Sequence, residues 1–126
     1  MRERMNKTRA YRGKWARIHG LWAEWAAILF LTLKGIRILY HRYKTPLGEI
    51  DLIAHDKTTL IFVEVKFRSS GDDLAHVVGV PQQRRLINAA QYFARQCPSH
   101  YTVRFDVLLV KPWRFPVHIE NAWYGK

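Results

Sequence analysis

Gly48-Glu49-Ile50-Asp51-Leu52-Ile53-Ala54 and, after the polar loop His55-Asp56-Lys57-Thr58-Thr59, Leu60-Ile61-Phe62-Val63-Glu64-Val65-Lys66-Phe67 read as the two strands of a hairpin. Both are largely apolar, yet together they keep two interior carboxylates, Asp51 and Glu64, and one lysine, Lys66. Taking a charge out of water costs several kcal/mol unless it is paired or bound to a metal, so these residues need a partner or a purpose. Side chains alternate along a strand, which puts Glu64 and Lys66 on the face of Leu60 and Phe62. A loop of even length, Lys57-Thr58 or Asp56 to Thr59, brings Asp51 to that same face. A three-residue loop would send it to the other.

Outward from the hairpin, the order reads helix, three strands, helix, strand. Gly20 to Lys34 is rich in Ala and Leu and is stopped by Gly35, a residue suited to the left-handed position after a helix. Ile36 to Lys44 mixes β-branched, aromatic and charged residues, as in a partly exposed first strand. Pro46-Leu47-Gly48 is a turn. Arg68 to Val80 is an irregular connection. Pro81 opens a second helix reaching about Gln96, with Leu86, Ala89, Ala90 and Phe93 as its apolar stripe. Thr102 to Val110 is the last core strand, and Lys111 to Lys126 reads as a tail containing Pro and aromatic residues. Residues 1–17 form a basic tail, and 18–126 form one domain, the size that a single core can support.

The net charge is +11, from 21 Lys and Arg against 10 Asp and Glu. It is concentrated at the N-terminus, where Arg2, Arg4, Lys7, Arg9, Arg12, Lys14 and Arg17 face only Glu3. With Tyr11 and Trp15 interleaved, such a tail suits phosphate neutralisation and base stacking, or else serves as a solubilising extension. One cysteine, Cys97, excludes an internal disulfide and points to a reducing, cytoplasmic setting. The six histidines lack the close spacing of a zinc site. Leu21 to Leu33 follows a basic stretch as a signal sequence would, but it contains Glu24 and falls short of the roughly 20 apolar residues of a spanning helix. No membrane partner is expected.

Hard oxygen ligands of this kind select Mg²⁺ or Mn²⁺, which keep several waters and bridge to substrate phosphate. Lys66 is suited to orient or deprotonate a water, or to stabilise the scissile phosphate. Glu24 is a third carboxylate within an apolar helix, a costly place for an unpaired anion, which suggests that it faces the same site.

Glu24, Asp51 and Glu64-Val65-Lys66, spread over this α-β-β-β-α-β order, resemble the PD-(D/E)XK nuclease superfamily. More narrowly, Ala23-Glu24, Gly35 to Leu39, Gly48 to Ala54, Phe62 to Arg68 apart from Phe67, Ala89-Ala90 and Arg104 to Val107 resemble the YraN-like family of predicted bacterial endonucleases. The matches span about two-thirds of the chain, and their joint pattern is specific where an isolated E-x-K would be weak. The resemblance implies an α/β, restriction-endonuclease-like fold with a mixed sheet flanked by helices, similar to archaeal Holliday-junction resolvases. It implies Glu24, Asp51, Glu64 and Lys66 as catalytic residues, the three carboxylates as ligands of Mg²⁺ or Mn²⁺, and a homodimer as the assembly resolvases suggest. Gln82 stands where the family usually has a lysine, and Phe67 replaces the usual Thr or Ser. Neither change removes a metal ligand, and Arg84 and Arg85 could compensate electrostatically for Gln82.

Each residue also has a plainer reading. Asp51 could cap a turn or form a structural pair with Lys66. Arg68 is a phosphate or carboxylate partner rather than a catalyst, and Asp72 and Asp73 are solvated loop residues. Asp106 ends a buried strand network rather than joining the metal. Trp22, Trp25 and Phe30 read as core, and Arg95 and Arg104 as surface charges. Two function classes follow. One is a Mg²⁺-dependent endonuclease of nucleic acid, with structured or branched DNA expected, contacted through Arg68, Gln82, Arg84, Arg85, Arg9, Arg12 and Lys14. The alternative is a non-catalytic nucleic-acid-binding protein on the same fold.

Overall fold

The computed structural model describes residues 21–68, 78–97 and 101–123. A helix over 21–33 (α1) precedes strands β1 (Arg37–Thr45), β2 (Gly48–Asp56) and β3 (Thr59–Phe67). Helix α2 (Val80–Ala94) and strands β4 (Thr102–Val110) and β5 (Val117–Trp123) follow. The strands lie in the order β1-β2-β3-β4-β5 in one open sheet. Only β3 and β4, joined through α2, run parallel. The sequence α1-β1-β2-β3-α2-β4 is the expected restriction-endonuclease-like order, and β5 extends the sheet at its far edge. Lys111 to Lys126 is therefore not simply a tail. Its strand mixes apolar and polar residues that are exposed or half-buried, bulges against β4 and carries Asn121 at φ 54°, which together blur any alternation in the sequence.

Local chemistry sets the elements. Helix α1 ends where Gly35 takes φ 86°, with Ile36 N–H donating to Leu31 O and Gly35 N–H to Thr32 O, the paired bonds of a Schellman cap. The hairpin closes through the two-residue turn Lys57-Thr58, because Asp56 pairs with Thr59. The two helices cover opposite faces. Ala23, Ala27 and Leu31 of α1 pack on Leu52, Ala54, Ile61, Val63, Leu108 and Val110. Leu86, Ile87, Ala89, Ala90 and Phe93 of α2 pack on Ile53, Leu60, Phe62 and Phe105. Each large aliphatic side chain fully buried this way contributes about 1.5–3 kcal/mol. Trp22 and Trp25 are not core, being 50% and 61% exposed, whereas Phe30 packs partly buried beside the α1 cluster.

Two irregularities place the site. A bulge in β1 between Ile38 and Tyr40 shifts its register against β2, so that His41 lies opposite Leu52. Arg42 then adopts φ 55°. Around it strict alternation breaks: Leu52 belongs to the α1 cluster, while Ile50 and its partner Tyr43 belong to the α2 cluster. The β2–β3 pairing ends at Leu52↔Val63, although β2 continues against β1 and β3 against β4. The sheet forks there.

Candidate active site

Asp51 lies one residue past the last β2–β3 pair. Its Oδ2 accepts a 2.9 Å hydrogen bond from the Val65 N–H of the diverging strand. The side chain thus spans the gap that the end of the ladder opens. Asp51 and Glu64 line one cleft of about 220 Å³ together with Gly48, Glu49, Gln82, Arg85 and Leu86. The even-length turn delivers both carboxylates to one place, as strand parity predicts.

Glu64 is buried and held from two sides. Gln82 Nε2 donates to its Oε1 at 2.7 Å, and Lys66 Nζ lies 3.2 Å from the same oxygen. Gln82 stands in the first turn of α2, which starts after Gly79 with Pro81 in its opening positions. Burial and then the neighbouring Glu64 charge push the Asp51 carboxyl up to about 7 from its ordinary 3.8. Glu24 adds to that push, while the Val65 N–H and Lys66 oppose it.

Glu24 is close enough to act on Asp51, but its own oxygen is engaged elsewhere. His41 Nε2 lies 2.7 Å and Arg42 Nε 2.8 Å from Glu24 Oε2, and Trp25 packs on the His41 ring at 5.8 Å. Adjacent strand residues normally point apart. Both reach Glu24 because the backbone at Arg42 is left-handed. Sequence reasoning did not anticipate these partners, and a long-range bulge leaves no local signal. Glu49, exposed and two positions from Asp51, lines the cleft as well, a third carboxylate that strand parity also places on the Asp51 side.

The remaining expected residues divide. Arg85 lines the cleft, and its Cγ and Cδ pass so near Gly48 that a Cβ there would meet them at 2.9 and 3.1 Å. Arg84 is exposed and absent from the described lining. Arg68 Nη1 donates to Phe67 O at 2.8 Å, at the end of β3. Arg9, Arg12, Lys14, Asp72 and Asp73 lie outside the described residues.

Asp106 is fully buried and joins a network whose residues are not among this cleft's described lining. Arg104 donates to both its oxygens at 2.9 and 2.8 Å, His118 Nε2 lies 2.7 Å from Oδ2, and Asn121 N–H donates to Oδ1 at 3.0 Å. The buried strand network expected for Asp106 is present. Arg104, expected as an ordinary surface charge, is instead its bidentate partner.

The chain belongs to the uncharacterised protein family UPF0102. The family model matches residues 23–110, which contain most of α1 and all of the hairpin, α2 and β4. The chain is 48% identical over 106 residues to a UPF0102 protein of Nitrobacter winogradskyi, covering 82% of this chain and 90% of that one. It is 46% identical over 105 residues to one from Mesorhizobium japonicum, covering 82% and 84%. A UPF0102 protein of a Chelativorans strain is 42% identical over 125 residues, 98% of this chain and 96% of that one. All the site residues named on the β2–β3 fork and on α2 fall inside the matched span of this UPF0102 member.

Does the cleft suit a divalent cation? Two buried or half-buried carboxylates share it, with Lys66 3.2 Å from Glu64 and Arg85 in the cleft wall. Hard oxygen donors with uncompensated negative charge are what Mg²⁺ takes, usually through one or two carboxylates with waters and phosphate completing the shell. Among the described residues no three His, Cys, Asp or Glu side chains are gathered for a metal ion. The fit is therefore to a two-carboxylate site, with Glu24 tied to His41 and Arg42. No helix among the described residues is long and apolar enough to cross a membrane.

Proposed function

We propose that this UPF0102 protein is a metal-dependent phosphodiesterase of the PD-(D/E)XK type that cuts nucleic acid, with structured or branched DNA as its substrate. The observation that carries this reading is the meeting of Asp51, Glu64 and Lys66 at the strand fork, where two carboxylates tolerate each other although Asp51 is pushed to about 7. Structural ion pairs do not need a second, unneutralised carboxylate, whereas metal sites do. Asp51 and Glu64 would hold Mg²⁺ or Mn²⁺. Such an ion supplies charge neutralisation at the scissile phosphate and lowers the pKa of a bound water. Lys66, 3.2 Å from Glu64, offers an ammonium to a phosphate oxygen or to the attacking water. Gln82 fixes the Glu64 rotamer, and Arg85 adds positive charge to the cleft wall. The net charge of +11 draws the polyanion, and the single cysteine suits a cytoplasmic setting.

A binding-only protein on this fold is the second reading, favoured by the engagement of Glu24 with His41 and Arg42 and by Gln82 at a position where a lysine is usual in the resembling family. One experiment separates the two. Wild type and Glu64→Ala are incubated with single-stranded, duplex and four-way DNA in Mg²⁺, Mn²⁺ or EDTA, and binding is followed in parallel. Metal-dependent cleavage abolished in Glu64→Ala, with binding retained, supports the nuclease. Binding without cleavage of any substrate in either metal leaves the binding-only protein.

A further inference from the structure

On the α1 side of the sheet, two adjoining depressions of about 280 and 370 Å³ share Trp22 and Trp113. Phe67 and Pro112 complete the first, Arg114 and Phe115 the second. The rings are unusually open: Trp113 is 100% and Phe115 89% exposed, and Trp22 is half exposed. Trp22 meets Phe67 edge-on at 6.1 Å, so one wall is pre-organised. Trp113 sits at φ 61°, a left-handed conformation that a bulky residue adopts only at a cost. Exposed aromatic surface of this extent marks an interaction site.

The chemistry around the rings selects the occupant. Arg114 is the charged group among the described lining residues, and no carboxylate accompanies it there. An anionic ligand with a flat apolar face fits both features, since bases stack on aromatic rings and guanidinium planes while their phosphates meet the cation. Strand β3 links the cleft to the candidate active site. Phe67 directly follows Lys66 and lies three residues beyond Glu64 on β3, about 10 Å along the backbone at ~3.3 Å per residue, but its ring packs on the α1 face whereas the Glu64 cleft is walled by α2. A nucleic-acid strand joining the two would therefore pass round the end of β3.

We propose that this aromatic cleft stacks an unpaired nucleobase of the strand whose phosphate lies at Glu64 and Lys66, making single-stranded or locally unpaired nucleic acid the preferred substrate. The inference rests on the nucleic-acid reading of the site. A base held within a duplex cannot enter such a cleft without leaving its stack.

The test uses the full chain in EDTA, where binding is measured without cleavage. Fluorescence anisotropy compares an oligothymidylate, an abasic strand with the same number of phosphates, and a duplex of that length. Wild type should bind the oligothymidylate about tenfold more tightly than the abasic strand. Trp113→Ala should remove that preference and leave abasic and duplex binding unchanged, while Trp113→Phe should retain most of it. Trp113 is fully exposed, so its replacement spares the core. Equal affinity of wild type for oligothymidylate and abasic strand overturns base stacking but leaves the nucleic-acid reading intact. Failure to bind any of the three overturns both. A wild-type dimer in sedimentation velocity that Trp113→Ala converts to monomer, with no preference for bases, overturns the proposal in favour of a second copy on this face.

Discussion

The Val65 amide of β3 donates to the Asp51 carboxylate of β2 at 2.9 Å, just beyond the point where the two strands stop pairing. One hydrogen bond thus satisfies a backbone donor at the fork and fixes a carboxylate beside Glu64. A side chain replaces a missing ladder bond, and the gap it bridges opens onto the cleft.

Asp51 has a raised folded-state pKa, so its sign is the reverse of the usual carboxylate. Its contribution to the metal-free fold is fully present below the ordinary 3.8 and is lost as pH rises toward about 7. Asp51→Asn, which can still accept from Val65, should stabilise the metal-free protein at pH 8 by about 1–3 kcal/mol and flatten that decline. Urea denaturation in EDTA across this pH range measures it. Mg²⁺ at pH 8 should raise the Tm of wild type but not that of Asp51→Asn/Glu64→Gln.

Asp106 behaves oppositely. Burial pushes its carboxyl up, but hydrogen bonds from His118, Arg104 and the Asn121 N–H, with the Arg104 charge, bring it below its ordinary value. Its stabilisation is present above pH ~4 and is lost as pH falls through the lowered pKa. Asp106→Ala strands Arg104 and His118 in a buried network and should cost about 3–5 kcal/mol. A shift in the acid-unfolding midpoint of Asp106→Asn relative to wild type would check the sign, and an unchanged midpoint would contradict it.

Gly48→Ala should destabilise the protein by about 1–3 kcal/mol, because Gly48 holds φ 145° and its new Cβ would press on the Arg85 side chain. Arg85→Ala relieves the contact but not the backbone. The double variant should therefore recover only part of the stability, and full recovery in thermal denaturation would place the whole cost on the clash with Arg85.

Removing residues 1–16 deletes Arg2, Arg4, Lys7, Arg9, Arg12 and Lys14 with Glu3. The slope of log K against log salt for duplex DNA should fall by a few units, at about 0.9 for each phosphate that is no longer neutralised. An unchanged slope would assign the binding surface to Arg68, Arg84 and Arg85.

The geometry of the candidate site is legible in the sequence where the physics is local. Alternation and a two-residue turn are short-range properties, and they pointed to the meeting of Asp51 with Glu64 and Lys66, although the Val65 N–H beyond the end of the ladder is what holds Asp51 there. The surroundings of Glu24 did not. A one-residue bulge near Leu39 and a left-handed Arg42 decide that His41 and Arg42 turn toward α1, and neither has a compositional mark. Trp22 and Trp25 looked like core because apolar helix residues are usually buried. Which side of α1 meets the sheet is settled by the small residues Ala23 and Ala27, which let the helix approach closely.

The chain's own pattern therefore determined the strands of the hairpin, the capped end of α1 at Gly35, the apolar face of α2 and the pairing of hard oxygen donors with a lysine. Each depends on neighbours a few residues apart. Tertiary structure alone decided the fork between β2 and β3, the capture of Glu64 by Gln82, the partners of Glu24, the fifth strand and the open aromatic cleft. These depend on how distant segments register against one another, and a shift of a single residue in a strand exchanges its two faces.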